Sequence, residues 1–521
     1  MLTLSISQNY LLIPVKLGAE KQLLTLFSSQ DREKKLYEFE VPFPRGGETP
    51  DWFAAIPMRR HRGETLLLCA PIPDEELSAV RQADHRPEPV SGRPLIHFAP
   101  EHGWMNDPNG LVRLADGTAR LYYQYSPFGI EWGMMHWGSA KSRDLLHWEA
   151  GDIALFPDEA GTMFSGCGWR DAENAAGFGP DALLFYYTSA GGTEAPWSRD
   201  GVFTQRLAVS TDGGETLKKQ PGLLLPNLAH ANRDPKVFYH APSGAYCMAL
   251  YLSENDFALF RSPDLIHWEQ TQFLTLPEMW ECPDLFPLFV DGEEKWVFWS
   301  ADGYYAVGSF DGWRFTPEQP VRMAYGNRIP YAAQTFPREE GRVLSVAWLR
   351  LPNAGRCYTG VMALPAELGL VRDGVGWALR LHPCRELFSA LREQPEGEAP
   401  DAPWLLRSTI PADAGRARLS FPGGEIVMDM DAGTGHFGET DLAFPPKQPL
   451  SLFLLADRAV FELTLADGAF WAPEQNLSST LAGKPELTAG NGAPIPFTLC
   501  VVESSAALRV YHGTFLKKRL Y

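Results

Sequence analysis

Ser142-Arg143-Asp144-Leu145-Leu146-His147-Trp148-Glu149 returns later in the chain as Ser262-Pro263-Asp264-Leu265-Ile266-His267-Trp268-Glu269. Weaker relatives stand at Ser210-Thr211-Asp212-Gly213-Gly214-Glu215-Thr216 and Ser309-Phe310-Asp311-Gly312-Trp313-Arg314-Phe315. Each follows a β-like run and opens a turn. The starts at 142, 210, 262 and 309 lie 68, 52 and 47 residues apart. That is roughly the period of four-stranded propeller blades with loops of variable length. Short aromatic strands accompany them: Leu121-Tyr122-Tyr123-Gln124-Tyr125, Leu183-Leu184-Phe185-Tyr186-Tyr187 and Trp296-Val297-Phe298-Trp299. The expectation is a five-bladed β-propeller over residues 95–377. An unrelated series of β-turns is the competing reading, and an eight-residue near-repeat argues against it.

The flanks read as further β structure, so the fold class is all-β. Tyr10–Val15, Leu23–Phe27, Leu36–Val41 and Thr65–Cys69 are strand-length runs punctuated by Gly, Pro and charge. They predict a small N-terminal β domain over 1–90, sandwich-like. The polar, Pro-rich stretch 84–94 predicts a linker. Residues 378–397 predict a helical connector, because the stretch after Pro383 has helical spacing. Alternating runs such as Leu450–Leu455, Ala459–Leu465 and Phe497–Val502 predict a C-terminal β-sandwich over 398–521.

The 521 residues are enough for about three domains. A net charge of −18 argues against nucleic acid or an anionic membrane as partner. The 16 tryptophans suit either sugar stacking or β-sheet cores. The seven cysteines are scattered with no Cys-x-x-Cys pair, so they read as free thiols rather than metal ligands. The N-terminus lacks a basic region followed by an apolar run, which predicts a cytoplasmic protein. No run approaches the length of a membrane span. Asn476-Leu477-Ser478 matches a glycosylation sequon, which carries little weight without a secretion signal.

Three acidic motifs fall in the central region. Trp104-Met105-Asn106-Asp107-Pro108-Asn109-Gly110 sets Asp107 among amides, with Pro and Gly predicting a rigid turn. Asn232-Arg233-Asp234-Pro235-Lys236-Val237-Phe238 and Trp280-Glu281-Cys282-Pro283-Asp284-Leu285-Phe286 hold the others. A propeller lets such distant residues meet, because the starts of its innermost strands line one funnel. The environments suggest roles. Amides around Asp107 favour an ionised nucleophile, Arg233 favours a charged Asp234, and apolar neighbours of Glu281 favour a protonated acid. Taken singly, each motif also fits a structural turn, an ion pair or an exposed loop glutamate.

Trp104–Gly110, Phe164-Ser165-Gly166, Arg233-Asp234-Pro235 and Glu281-Cys282-Pro283 together resemble the signature blocks of glycoside hydrolase family 32, the β-fructofuranosidases. Met135–Gly138, Tyr331–Phe336 and Leu381–Arg392 are also similar to family blocks. The resemblance is strong over about 95–395 and implies a propeller catalytic domain followed by a β-sandwich. It implies a retaining glycosidase with Asp107 as nucleophile, Asp234 as transition-state stabiliser and Glu281 as acid/base. It also places Asn106, Gln124, Trp132, Phe164, Ser165 and Arg233 around the fructose. From the residues alone, Gln124 equally fits a core glutamine, Trp132 packing, and Ser165 a turn hydroxyl. No metal or cofactor is implied. The expected partner is a fructose-containing oligo- or polysaccharide, or sucrose. Retention requires the carboxyls of Asp107 and Glu281 to lie about 5–5.5 Å apart.

Two departures bear on substrate. The segment Met323–Pro330 carries no acidic residue where the family block does, and it is one residue longer, which predicts altered contacts at the pocket edge. The N-terminal domain is extra, and Tyr10–Val15 with Asp51-Trp52-Phe53-Ala54-Ala55 is similar to that of some bacterial levanases. Fructans of the levan or inulin type are therefore expected. The alternatives are a sucrose or sucrose-6-phosphate hydrolase, a fructosyltransferase, and a non-catalytic fructan-binding propeller.

Overall fold

The computed structural model describes residues 1–503 except 89–91, 194, 338, 340, 396–397, 401 and 479. Part of the expected linker (89–91) and the end of the expected C-terminal sandwich (504–521) lie outside the described residues. The architecture is almost entirely β.

Five antiparallel sheets succeed one another in chain order. Their innermost strands are Gly103–Arg113, Thr162–Asp171, Arg233–His240, Asp284–Val290 and Pro330–Thr335. Each sheet runs outward strand by strand, as short hairpin connections require. The first and last sheets are joined where Tyr358–Thr359 pairs in parallel with Gly103 and Trp104. Side chains from facing sheets fill the space between them, for example Tyr186, Met248, Leu250 and Phe260 in one buried cluster.

The echo motifs occupy one place in four of these sheets, the turn after the third strand. His136–Ser142, Phe203–Ser210, Asp256–Ser262 and Tyr304–Phe310 all end there. The chemistry explains the recurrence. Asp144 Oδ1 accepts from the backbone N–H of Leu146 and His147 at 3.0 and 2.8 Å, and Asp264 does the same for Ile266 and His267. Leu145 and Leu265 both take positive φ, 65° and 67°, a conformation the surrounding turn must enforce.

Strand starts are bent in a regular way. Register shifts fall between Met105 and Pro108, Met163 and Gly166, Arg233 and Lys236, and Tyr331 and Gln334. Four of the five innermost strands therefore carry a bulge at the same end. A bulge breaks the ladder and re-aims the side chains within it.

The N-terminal region forms two sheets. One contains Leu2–Ser5, Lys21–Ser28, Lys35–Pro42 and Thr65–Cys69, and the other Tyr10–Val15, Trp52–Pro57 and Arg81–Ala83. It shares one core with the first propeller sheet. Phe39 lies 5.1 Å from Phe128 and 6.0 Å from His136, ring to ring. Trp52 Nε1 donates to the Pro127 carbonyl at 3.0 Å.

The connector differs from expectation. Trp377–Pro383 is the outer strand of the last propeller sheet, paired along its length with Ala366–Arg372. Among the connector's described residues only Arg385–Ser389 is helical. Leu391–Glu393 already belongs to the C-terminal sandwich, pairing with Val502–Cys500. That sandwich stacks a six-stranded sheet on a five-stranded one over the buried side chains of Trp404, Phe421, Met428 and Phe461.

The sandwich is locked to the propeller by a buried polar cluster. His97 Nδ1 contacts Asp457 at 3.0 Å, and its Nε2 contacts Glu462 at 2.9 Å. Burial opposes the imidazolium, but hydrogen bonds and charge from Asp457 and Glu462 override it and raise His97 to about 9. Trp471 Nε1 and the Leu364 N–H complete Glu462, each at 3.0 Å.

Candidate active site

The bulged strand starts converge. A pocket is lined by Asp107, Ser165, Asp234, Lys236, Cys282 and Gln334, among others, drawn from all five inner strands or the turns before them. The three sequence-selected carboxylates meet here through shared partners.

Asp107 is not in a turn, as Pro108 and Gly110 had suggested. It sits in the first bulge of Gly103–Arg113, with a second bulge between Asn109 and Val112. Pro108 supplies no N–H to the ladder, so the bulge costs no hydrogen bond there. Gly110 takes φ 54° at the second bulge. A Cβ there would come within 2.7 Å of the Tyr122 ring. Asp107 Oδ2 accepts from Ser165 Oγ at 2.6 Å, and Oδ1 from Asn106 Nδ2 at 3.1 Å. Trp104 Nε1 in turn holds Asn106 Oδ1 at 2.9 Å, so the indole orients the amide that orients the acid.

Ser165 and Phe164 lie in the bulge of the second inner strand. That bulge is held from behind. Gln124 Nε2 donates to the Met163 carbonyl at 2.7 Å, and Trp137 Nε1 to that of Phe164 at 3.0 Å. Gln124 is 2% exposed. Its amide nitrogen therefore supports the backbone that presents Ser165. Trp132 is exposed and meets Phe164 edge-on at 6.1 Å, forming an aromatic rim.

Asp234 takes φ 63° inside the third bulge. Its backbone N–H donates to Thr188 Oγ1 at 3.1 Å. Its Oδ2 accepts from the Cys282 N–H at 3.1 Å and from Cys282 Sγ at 3.4 Å. The same thiol lies 3.7 Å from Asp107 Oδ2, so Cys282 stands between the two aspartates. Glu281 and Cys282 both take positive φ, 48° and 42°. That pair of strained residues turns the Glu281 carboxyl and the Cys282 thiol to the same pocket.

Glu281 is not in the apolar setting its neighbours suggested. Its Oε1 pairs with the Arg233 guanidinium, and its Oε2 accepts from the Tyr331 hydroxyl at 2.6 Å. Arg233 also lies over the Tyr251 ring at 4.6 Å and 3.9 Å from Asp234 Oδ2. The cation read as a partner for Asp234 is thus committed first to Glu281. Asp234 pays for this: burial raises it to about 7, against the pull of Arg233 and with the charges of Glu281 and Asp107 adding. Burial likewise raises Asp107 above the usual carboxylate range, opposed by Ser165 and Asn106. Both aspartates were expected to stay ionised. Removal from water, together with mutual repulsion, outweighs their hydrogen bonds.

Three groups went unassigned in the sequence reading. Tyr331 and Cys282 are named above. The third is a buried ion pair beneath the pocket: Lys236 Nζ lies 3.0 Å from Asp284 Oδ2, and both side chains are almost fully buried. Asp284 Oδ2 also accepts from the Thr335 N–H and hydroxyl at 2.8 Å each. Lys236 donates to the Thr335 carbonyl at 2.5 Å. The pair ties three inner strands together. A signal existed, since Lys236 and Asp284 are charges at the head of the apolar runs Val237-Phe238 and Leu285-Phe286, where a charge must find a partner.

Much of the departing segment Met323–Pro330 is turned to the C-terminal sandwich, while its Arg328 carbonyl accepts from Arg350 beside Tyr331. Asn327 Nδ2 donates to Thr440 Oγ1 at 2.8 Å and to the Pro473 carbonyl at 2.7 Å, and the Gly326 N–H to Trp471 at 2.7 Å. Tyr325 packs on Trp299 and Trp471. The segment clasps the C-terminal sandwich, where an amide and a glycine fit better than acidic side chains. Among the described residues no group of three or more His, Cys, Asp or Glu is placed to hold a metal ion.

Residues 97–383 match the family model described as the Glycosyl hydrolases family 32 N-terminal domain. A levanase of Bacillus subtilis (strain 168) is 38% identical over 332 residues, 57% of this chain and 47% of the relative. An extracellular exo-inulinase of Meyerozyma guilliermondii is 36% identical over 291 residues, 50% and 54% of the two chains. The chain spans about half the length of these relatives. Among solved structures, the exo-inulinase from Aspergillus awamori superposes with a TM-score of 0.70 at 23% identity, over 79% of this chain and 98% of that one. That likeness speaks to the fold.

Proposed function

Because the chain belongs to glycosyl hydrolase family 32 by its match over residues 97–383, we propose that it is a retaining β-fructofuranosidase. It releases terminal β-D-fructofuranosyl units from fructans of the levan or inulin type, or from sucrose-type fructosides. One observation carries this reading: carboxylates from three different blades are brought together, Glu281 and Asp234 through Arg233, and Asp234 and Asp107 through Cys282.

In the proposed mechanism Asp107 attacks the anomeric carbon while Glu281 protonates the departing oxygen. Water then cleaves the fructosyl ester, with Glu281 taking its proton. Ser165 and Asn106 hold Asp107 by both oxygens, which fixes its line of attack. Asp234 accepts hydrogen bonds from two fructose hydroxyls, and these strengthen as positive charge develops on the ring. Before substrate binds, Asp234 holds a proton up to about neutral pH, and burial raises Asp107 in the same direction. Fructose hydroxyls stabilise their ionised forms and displace that proton, and Glu281 requires one for the first step. Arg233 and Tyr331 hold both oxygens of Glu281, which positions it for the second step, when it must act as base.

The preference for a neutral leaving group has its own support. Arg350, at the pocket edge, stacks on Tyr331 at 4.3 Å and faces Asp302 at 3.9 Å. That cation is already engaged, which disfavours a phosphorylated sucrose.

The test is fructose release from sucrose, inulin and levan by the wild-type chain and by Asp107→Asn. The wild type should act on at least one of them, and the variant should lose at least about a thousandfold. A folded wild type inert on every fructoside would remove the enzyme reading in favour of a fructan-binding propeller.

A further inference from the structure

We propose a second carbohydrate site at the opposite end of the propeller, between the third and fourth sheets, that holds a neutral fructan chain. The proposal rests on the fructan reading above for the identity of the sugar.

The inner strands begin at the candidate active site. The third strand of each sheet runs in the same direction, so the turns that follow it lie at the far end. Two of the echo motifs meet there. They line a cleft of about 380 Å³ with Arg261, His267, Trp268, Glu269 and Trp313, within the size range of small-ligand sites.

The echo motifs show what is particular to this place. Ser309-Phe310-Asp311-Gly312-Trp313 matches Ser210-Thr211-Asp212-Gly213-Gly214, which sets Trp313 opposite Gly214. Between the first two sheets there is a larger cleft, but the Gly214 position itself has no room for a side chain: a Cβ there would meet the Tyr122 hydroxyl at 2.5 Å. Between the third and fourth sheets the same position carries an indole that is 46% exposed. A second difference concerns the other tryptophan. Trp148 Nε1 donates to the Leu145 carbonyl at 3.0 Å. The matching carbonyl, Leu265, is taken by the Tyr186 hydroxyl at 3.0 Å, and Trp268 Nε1 is buried behind the cleft with no partner among the described residues.

Arg261 completes the site. Its guanidinium lies over Trp313 at 4.4 Å and donates to the Ser243 carbonyl at 3.2 Å, with Nη1 buried and without a partner among the described residues. The stack holds the indole rigid, so little side-chain freedom is lost on binding. A broad aromatic face beside the exposed polar side chains of His267 and Glu269 matches a sugar, whose C–H face stacks while its hydroxyls bond. The charge around the cleft is mixed, which favours a neutral ligand: Arg261 and Arg314 are offset by Glu269 in the cleft and by Asp264 and Asp311 in the adjoining turns.

The test is native electrophoresis of the full chain in gels containing levan, inulin or a glucan, paired with kinetics on sucrose and on the polymers. Levan or inulin should retard the wild type. Trp313→Ala and Arg261→Gln should lose most of that retardation, and Trp313→Phe should recover it. The polymer KM of Trp313→Ala should rise about three- to tenfold, with sucrose turnover unchanged. Retardation equal in wild type and both variants, or absent for the wild type with every polymer, overturns the second site. Retardation by glucan alone overturns its assignment to fructan. Loss of the proposed activity would show separately, as a wild type that releases no fructose from sucrose or polymer.

Discussion

Asp234 bears the largest consequence of burying three carboxylates close together with one guanidinium between two of them. Its folded pKa of about 7 lies above the ordinary value of 3.8. The native state therefore binds a proton more tightly than the unfolded chain between those limits. The stabilising contribution is present in acid and lost as pH rises through about 7. Asp234→Asn imitates the protonated form. It should leave the melting temperature nearly unchanged at pH 4 and raise it at pH 8, by on the order of 1 kcal/mol or more in stability. A melting temperature lowered at pH 8 would show that the charged aspartate is stabilised, contrary to its burial. At this scale the acids themselves were legible, because each stands in a motif of turn-forming and polar residues. Their pairing was not. Whether Arg233 turns to Asp234 beside it or to Glu281 depends on a bulge and on two positive-φ residues, Glu281 and Cys282, which local sequence does not report.

Elements were legible where turn chemistry repeats and illegible where pairing overrides it. The Ser-x-Asp turns at 142 and 262 announced the blades because an aspartate capping two N–H groups needs the same residues each time. Trp104–Gly110 read as a turn because Pro and Gly also serve bulges. Trp377–Pro383 became a strand because Ala366–Arg372 offered it a complete ladder. The His97–Asp457–Glu462 cluster is a contact between elements that no single segment displays. Its imidazolium, raised to about 9, stabilises the propeller–sandwich contact fully below about pH 6.5, and this is lost as pH rises through about 9. His97→Gln leaves two buried carboxylates without their cation. It should cost roughly 3–5 kcal/mol at pH 7 and distinctly less at pH 10, read from chemical denaturation at the two pH values. An equal cost at both would mean that His97 is neutral in the folded chain.

Across the molecule, the order of three β regions was legible from strand runs and linkers, but their mutual packing was not, since it joins surfaces far apart in sequence. The N-terminal region is bound to the first blade through Phe39, Phe128 and His136. Phe39→Ala should therefore cost about 3–5 kcal/mol and lower the main calorimetric transition. A separate early transition, with the main one unmoved, would show that the N-terminal region folds independently. The central claim is that fructose is carried on Asp107, and the mass of the whole chain tests it most directly. In Glu281→Ala the acid/base is gone, so a fructoside with a good leaving group such as 4-nitrophenol should still load the enzyme, while release by water is slow. Mass spectrometry should find one fructosyl unit added to the chain, on the peptide that contains Asp107. The unit found on any other residue, or nitrophenol released with no adduct at any time, would contradict the account.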